Sequence, residues 1–403
     1  MRHVLRRAGR GSAAALASAG LVTGLFGCTG GALDIASKPR APEEAIRVIP
    51  GDGARDVDPD GRLEVRLPSG RLERVRVRRI ENEKPADVPG AISEDGLRWR
   101  PDPPGKLDIA AKYSVDVVAL DGHGRRSARH TTFTTEVPEQ RFIGYFKPEH
   151  RATVGTGMIV SFSFNQDIAD RAAVRRAIEV TADPPVEIEG HWFGRNRLDF
   201  RPEEYWEPGT EVTVDVRLRD VEAAPGAYGV QDRTVTFTVG RSQTSLVDAE
   251  AKTMEVRRDG ALLATLPITA GAPKSTTYNG KMVVSEMHDV TRMDGGSVGF
   301  GGEYDIKDVP HAMRLTRTGT FLHGNYWAPP ETFGRANVSH GCVGLRDVKG
   351  GGGDTPAGWF FDRTLIGDVV EVVNSPEKVV PPDNGLSGWN MTWQRWKQEP
   401  ARD

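Results

Sequence analysis

Three short segments of this 403-residue chain recur, in the same order, further along it. "LRWRP" at 97–101 returns as "LDFRP" at 198–202, "YSVDVVAL" at 113–120 as "VTVDVRLRD" at 212–220, and "HTTFTTE" at 130–136 as "RTVTFTVG" at 233–240. In and around them apolar residues alternate with polar ones: Leu63, Val65 and Leu67; Val75 and Val77; Tyr113, Val115 and Val117. A period of two puts successive side chains on opposite faces of a strand, so these runs build half-buried strands rather than helices. Turn signals such as Pro68-Ser69-Gly70 and Asp121-Gly122 separate them. A unit of short alternating strands that occurs twice predicts tandem β-sandwiches over residues 46–137 and 138–240.

The sandwiches lack a Cys…Trp…Cys spacing, so the expectation is immunoglobulin-like shape only. The second copy adds one helix-like insert, "QDIADRAAVRRAI". From 241 the texture changes. "KTMEVRRDGALLATLPI" reads as two strands around Asp259-Gly260, a strong hairpin signal, and "KMVV", "TFLHG" and "VVEVV" read as further strands. One helix is expected from Asp354-Thr355-Pro356 through "AGWFFDRT", where a cap residue precedes a first-turn proline. The third unit, 241–375, is therefore mostly β with a short helix, and the whole chain is mainly β. In the tail, 376–403, Trp389, Trp393 and Trp396 form a helical stripe suited to docking on a neighbouring domain.

Charge is nearly balanced, 53 Lys+Arg against 56 Asp+Glu, which argues against nucleic acid or a strongly charged polymer as main partner. No apolar run beyond residue 30 is long enough to span a bilayer. Arg2, Arg6, Arg7 and Arg10 precede the uncharged "GSAAALASAGLVTGLFG", the pattern of a secretory signal. It runs into Leu25-Phe26-Gly27-Cys28, which resembles the bacterial lipobox with Phe26 where a smaller residue is usual. Residues 1–28 are thus expected to be a signal peptide with a lipid-accepting Cys28, and 29–45 a flexible tether. The other reading is a plain secretory peptide with an incidental cysteine. With Cys28 lipidated, Cys342 has no internal disulfide partner and stands as a free thiol in an extracytoplasmic, oxidising setting.

Cys342 lies in "ANVSHGCVGLRD". A thiol attacks as the thiolate, which needs a base or positive electrostatics nearby. His340 is two residues before it and would share its face on an extended strand. His323 ends the strand "GTFLHG", and the loop "NYWAPPETFGRANV" is long enough to return the chain beside it, placing His323 opposite Cys342. Gly341 and Gly344 free the local backbone, so that N–H groups can face a developing oxyanion. A buried cysteine acting as a small hydrophobe is the plain alternative. A metal site is disfavoured, because no Cys-x-x-Cys or carboxylate ligand set accompanies the two histidines.

"HG" followed, after a loop of this length, by "SHGC" resembles the signature of the L,D-transpeptidase catalytic domain. The likeness covers residues 241–375, and the order of two sandwiches, catalytic unit and Trp-rich tail is similar to actinobacterial members. The resemblance implies that Cys342 attacks the L,D-peptide bond before the terminal D-Ala of a peptidoglycan tetrapeptide stem. His323 would act as general base, the Gly324 carbonyl would orient its ring, Gly341 would serve the oxyanion hole, and His340 would support the site. A side-chain amine on an acceptor stem would then resolve the thioester into a 3→3 cross-link, with no cofactor. Carbapenem acylation at the thiol is implied as well. Family members usually carry Asn or Arg where this chain has Gly344, and Arg346 is the nearest substitute. Met293 and Tyr304 match substrate-flap positions, Trp327 is a candidate pocket wall, and Ser339 a candidate substrate contact. The alternatives are an L,D-carboxypeptidase using the same site and, from another class, a non-catalytic wall-binding module.

Overall fold

The computed structural model describes residues 45–80, 85–298 and 305–398. The expected signal segment, Cys28, residues 29–44 of the tether and Tyr304 lie outside the described residues.

Both repeats fold as sandwiches, and the echoed segments occupy equivalent places. "LRWRP" supplies the strand Arg98–Pro101, which lies between Glu64–Arg66 and Gly90–Ile92 in a four-stranded sheet. "LDFRP" supplies Arg197–Pro202, between Val160–Phe164 and Ile188–Phe193 in the corresponding sheet. In the facing sheets, Lys112–Leu120 and Glu211–Arg217 each pair antiparallel with the strand made by the third echo. The inward residues of the alternation fill the cores: Val65, Val77, Trp99, Tyr113 and Val115 in the first, Phe162, Leu198, Phe200, Val214 and Phe237 in the second. The insert forms the helix Arg171–Arg176, capped by Asp170, whose side chain accepts the Ala173 N–H.

The third unit is one nine-stranded sheet. Its hairpin turns at Asp259 and Gly260, both at positive φ (49° and 81°), the backbone that matches the twist of the flanking strands. Near its middle, Phe321–Asn325 and Val343–Arg346 run parallel, with the second also paired to Ala261–Thr269. A parallel pair needs a crossover, and residues 326–342 supply it as a loop with a short 3₁₀ turn at Pro330–Thr332. The helix Pro356–Phe361 covers the core face of these strands, shorter than expected: the run ends at Phe361, and Asp362-Arg363-Thr364 turns away.

The tail does not form one continuous helix. A 3₁₀ turn, Gly388–Asn390, and a separate helix, Trp393–Trp396, are joined by Met391 and Thr392, because the Thr392 side chain caps the second one. It docks on the second sandwich. Trp396 is fully buried and donates to the Glu189 carbonyl, while Trp389 donates to that of Gly157. Arg201 lies over the rings of Trp389, Trp393 and Trp396 at 4.6, 5.4 and 4.4 Å.

Candidate active site

Cys342 and His323 come from the two parallel strands, and the ladder sets their offset. His323 pairs with Gly344 and Leu322 with Val343, so Cys342 precedes the ladder and is level with Phe321. The sequence reading placed His323 opposite the cysteine; the observed register sets the thiol one step back along the same face. The Phe321 N–H donates to Sγ at 3.4 Å, and the thiol donates to the Gly319 carbonyl at 3.5 Å. Cys342 is buried with Met293, Val309, Ala312 and Phe321. That burial pushes the thiol up to about 11, opposed by the Phe321 N–H.

His323 is buried as well, and Nδ1 lies 2.9 Å from the Gly324 carbonyl oxygen. A carbonyl only accepts, so Nδ1 carries the proton and Nε2 keeps a lone pair. The Trp327 ring stacks on the imidazole, with centroids 5.5 Å apart and planes within 15°. Desolvation holds the imidazole below the usual histidine range; the Gly324 hydrogen bond and the charge of Asp347 act the other way.

The turn around the nucleophile is built by Ser339 and Gly341. Ser339 Oγ donates to the Cys342 carbonyl at 2.5 Å and accepts the Gly341 N–H at 3.2 Å. Gly341 has φ +110°, which side-chain-bearing residues rarely adopt, and it breaks the extended run between His340 and Cys342. Two expectations change here. His340 and Cys342 do not share the face of one strand, because Gly341 bends the chain between them. Ser339, offered as a substrate contact, has its hydroxyl engaged inside the turn.

Gly344 lies on the face it shares with His323, where its neighbours leave no open space. A Cβ there would meet Thr269 Cγ2 at 2.9 Å and Asn325 Cβ at 3.4 Å, so the position where the resemblance implies Asn or Arg is closed by packing. Asn325 is buried, and its Oδ1 accepts the Ala328 N–H at 3.0 Å, which shapes the loop that carries Trp327. Arg346 is exposed on the same strand face as Gly344. Met293 is buried in the cluster that contains Cys342.

The sequence reading missed a buried polar group on the opposite face of the sheet. Asp347 receives the Thr355 hydroxyl at 2.9 Å and lies 2.7 Å from His311 Nδ1. A Cβ on Gly324 would fall 1.9 Å from Asp347 Oδ2. The signal was present in the alternation: Val343 and Leu345 point into the core, so Asp347 places a carboxylate on a core-facing position. Among the described residues no group of three or more His, Cys, Asp or Glu is arranged to hold a metal ion.

Residues 242–372 match the L,D-transpeptidase catalytic domain family, and residues 54–222 match the bacterial Ig domain family. The chain is 31% identical over 354 residues to L,D-transpeptidase 2 of Mycobacterium tuberculosis, covering 87% of this chain and 83% of that protein. It is 29% identical over 379 residues to L,D-transpeptidase 5 of the same species, covering 92% and 80%. A solved structure of an LD transpeptidase in complex with imipenem is 28% identical, covers 59% of this chain and all of that one, and superposes with a TM-score of 0.48.

Proposed function

The chain belongs to the L,D-transpeptidase family, and from that premise we propose that it forms 3→3 peptidoglycan cross-links through a thioester on Cys342. The observation that carries this reading is the pairing of a free thiol with a histidine whose Nδ1 is pinned to its neighbour's carbonyl.

In this mechanism the donor is a tetrapeptide stem. His323 Nε2 takes the thiol proton, the thiolate attacks the carbonyl of the third residue, and the C–N bond to D-Ala breaks. The same imidazole returns the proton to the departing amine. An amine on the side chain of an acceptor stem's third residue then attacks the thioester, giving its proton to His323 and freeing the thiolate. Bond energy already held in the donor drives both halves, so no cofactor enters.

The resting geometry explains how the nucleophile is kept quiet. With a pKa of about 11 the thiol is protonated at neutral pH, and it donates to Gly319 rather than to His323. Attack therefore depends on a substrate that brings Sγ and Nε2 together and excludes water. Trp327 holds the imidazole plane during both transfers. The Gly341 N–H, in a 3.2 Å bond to Ser339 Oγ, can turn to the stronger acceptor that an oxyanion presents. His340 borders the nucleophile from the turn, and the exposed Arg346 is assigned to the carboxylates of the stem peptide. We assign residues 1–28 to export and lipidation at Cys28, so that the sandwiches space the catalytic unit from the membrane toward the wall.

Incubating the protein with purified tetrapeptide stems tests the reading. D-Ala release together with a cross-linked dimer is expected, and Cys342→Ala and His323→Ala are each expected to abolish both. Release without dimer would identify an L,D-carboxypeptidase instead. Turnover retained in either variant would overturn the assignment.

A further inference from the structure

We propose that Asp347, clamped by His311 and Thr355, is a positioning residue that balances the charge of His323 through the Gly324 peptide. This rests on the reading of His323 as the base of a thiol acyl transfer.

The groups are stacked through the sheet. On the substrate face is the imidazole, with Nδ1 2.9 Å from the Gly324 oxygen. On the core face is the Asp347 carboxylate, which fills the space a Gly324 side chain would need. Its side chain is fully shielded from solvent, and three donors hold it: the Val348 N–H at 2.8 Å, the Thr355 hydroxyl at 2.9 Å and His311 at 2.7 Å. Thr355 also caps the helix Pro356–Phe361, and His311 packs on Phe361 and against Gly351 and Gly358.

Anchoring that helix explains the hydrogen bonds; the carboxylate also brings a charge, with His311 on one side of it and the Gly324 peptide on the other. A neutral side chain would serve for docking without the desolvation cost of a buried carboxylate. The charge has a use one residue from a buried histidine that must become cationic during turnover. When S–H breaks and Nε2–H forms, a thiolate and an imidazolium arise together in a buried site, and a carboxylate behind the ring stabilises the cationic half of that pair.

Other charged groups near by are differently engaged. On the strand Asp305–Arg314, Arg314 pairs with Glu286 at 2.8 Å and lies over the Phe321 ring. On the cysteine strand, Arg346 is exposed, and the helix Pro356–Phe361 carries no charged residue. On the loop, Lys349 pairs with Asp308. His311 is already bonded to Asp347. Asp347 is thus the carboxylate placed to act on His323, and its charge favours the protonated ring.

The experiment is a histidine-labelled NMR titration of the full chain, with the His323 resonance identified by its loss in His323→Gln. It is paired with the rate of Cys342 acylation by a carbapenem. In Asp347→Asn the midpoint of His323 is expected to move to lower pH, and acylation at neutral pH to slow about 10-fold, the equivalent of one pKa unit. His311→Phe should shift the midpoint in the same direction by loosening the carboxylate, and His311→Asn, which keeps a donor, should restore most of it. An unchanged midpoint in Asp347→Asn would overturn the proposal, even where acylation slows, since that is the mark of a merely structural role. If Asp347→Asn does not fold, the two His311 variants decide the same question. Failure of the wild type to be acylated at Cys342 would sink the functional reading instead, while the titration still judges the coupling.

Discussion

At the scale of single residues, the site is ruled by where side chains are missing. Gly344 lies against Thr269 and Asn325, so an asparagine placed there overpacks a buried contact. Gly344→Asn is expected to destabilise the fold by about 1–3 kcal/mol. Thr269→Ser removes the methyl that is struck but keeps the hydroxyl that donates to Ala336, and the pair should recover on the order of 1 kcal/mol in a double-mutant cycle by urea unfolding. His323 carries a pH signature with a definite sign. Its folded pKa lies below the ordinary value of 6.5, so an unfolded chain binds the proton first as pH falls. Its contribution is present above 6.5 and lost below it. Urea midpoints should therefore drop as pH is lowered through that range, and drop less in His323→Gln; equal slopes in both proteins would contradict the assignment.

At the scale of elements, the short helix Pro356–Phe361 connects capping to the site. Thr355 accepts the Gly358 N–H at 3.0 Å and donates to Asp347, so Thr355→Val removes a cap and leaves a carboxylate lone pair empty. A loss of about 1–2 kcal/mol is expected by thermal or chemical unfolding. This helix was legible from Thr355 and Pro356, and the hairpin from Asp259-Gly260, because caps and tight turns are written in adjacent residues. The sandwiches were legible because alternation and repetition are themselves local patterns. The pairing register was not, since a loop long enough to return the chain does not say by how many residues it overshoots. His311 escaped for a related reason: it lies far along the sequence from Asp347, and only the antiparallel and parallel neighbours of Phe321–Asn325 bring the two together. The tryptophan stripe announced burial correctly, but its helical continuity yielded to the cap at Thr392.

Across the whole molecule, two junctions differ in kind. The second sandwich and the catalytic sheet share a core: Val283, Leu386 and Trp389 are buried in the same cluster as Phe162 and Phe200. Backbone bonds cross this seam as well, from the Gly155 and Gly157 N–H groups to the Ile366 and Gly367 carbonyls at 2.8 and 2.9 Å, beside the bidentate Arg241–Asp368 pair of the catalytic unit. The two sandwiches meet through polar contacts instead, Arg219 with the Ile109 and Ala110 carbonyls, Asp220 with the Ile109 N–H, and Arg79 with Asp232. Calorimetry should accordingly show the second sandwich and catalytic sheet unfolding together. Trp396→Ala, which empties a fully buried site, should lower that transition by about 3–5 kcal/mol. A variant that leaves the transition unmoved would show that the tail does not hold the units together.

The central claim is that Cys342 becomes a thioester with the donor stem, and intact-mass spectrometry of the rapidly quenched protein reads it directly. With a tetrapeptide stem and no acceptor, the wild type should gain one adduct equal to the stem less D-Ala, mapping to the peptide that holds Cys342, and Cys342→Ala should gain none. An adduct on another residue, or substrate turned over with Cys342 replaced, would contradict the account.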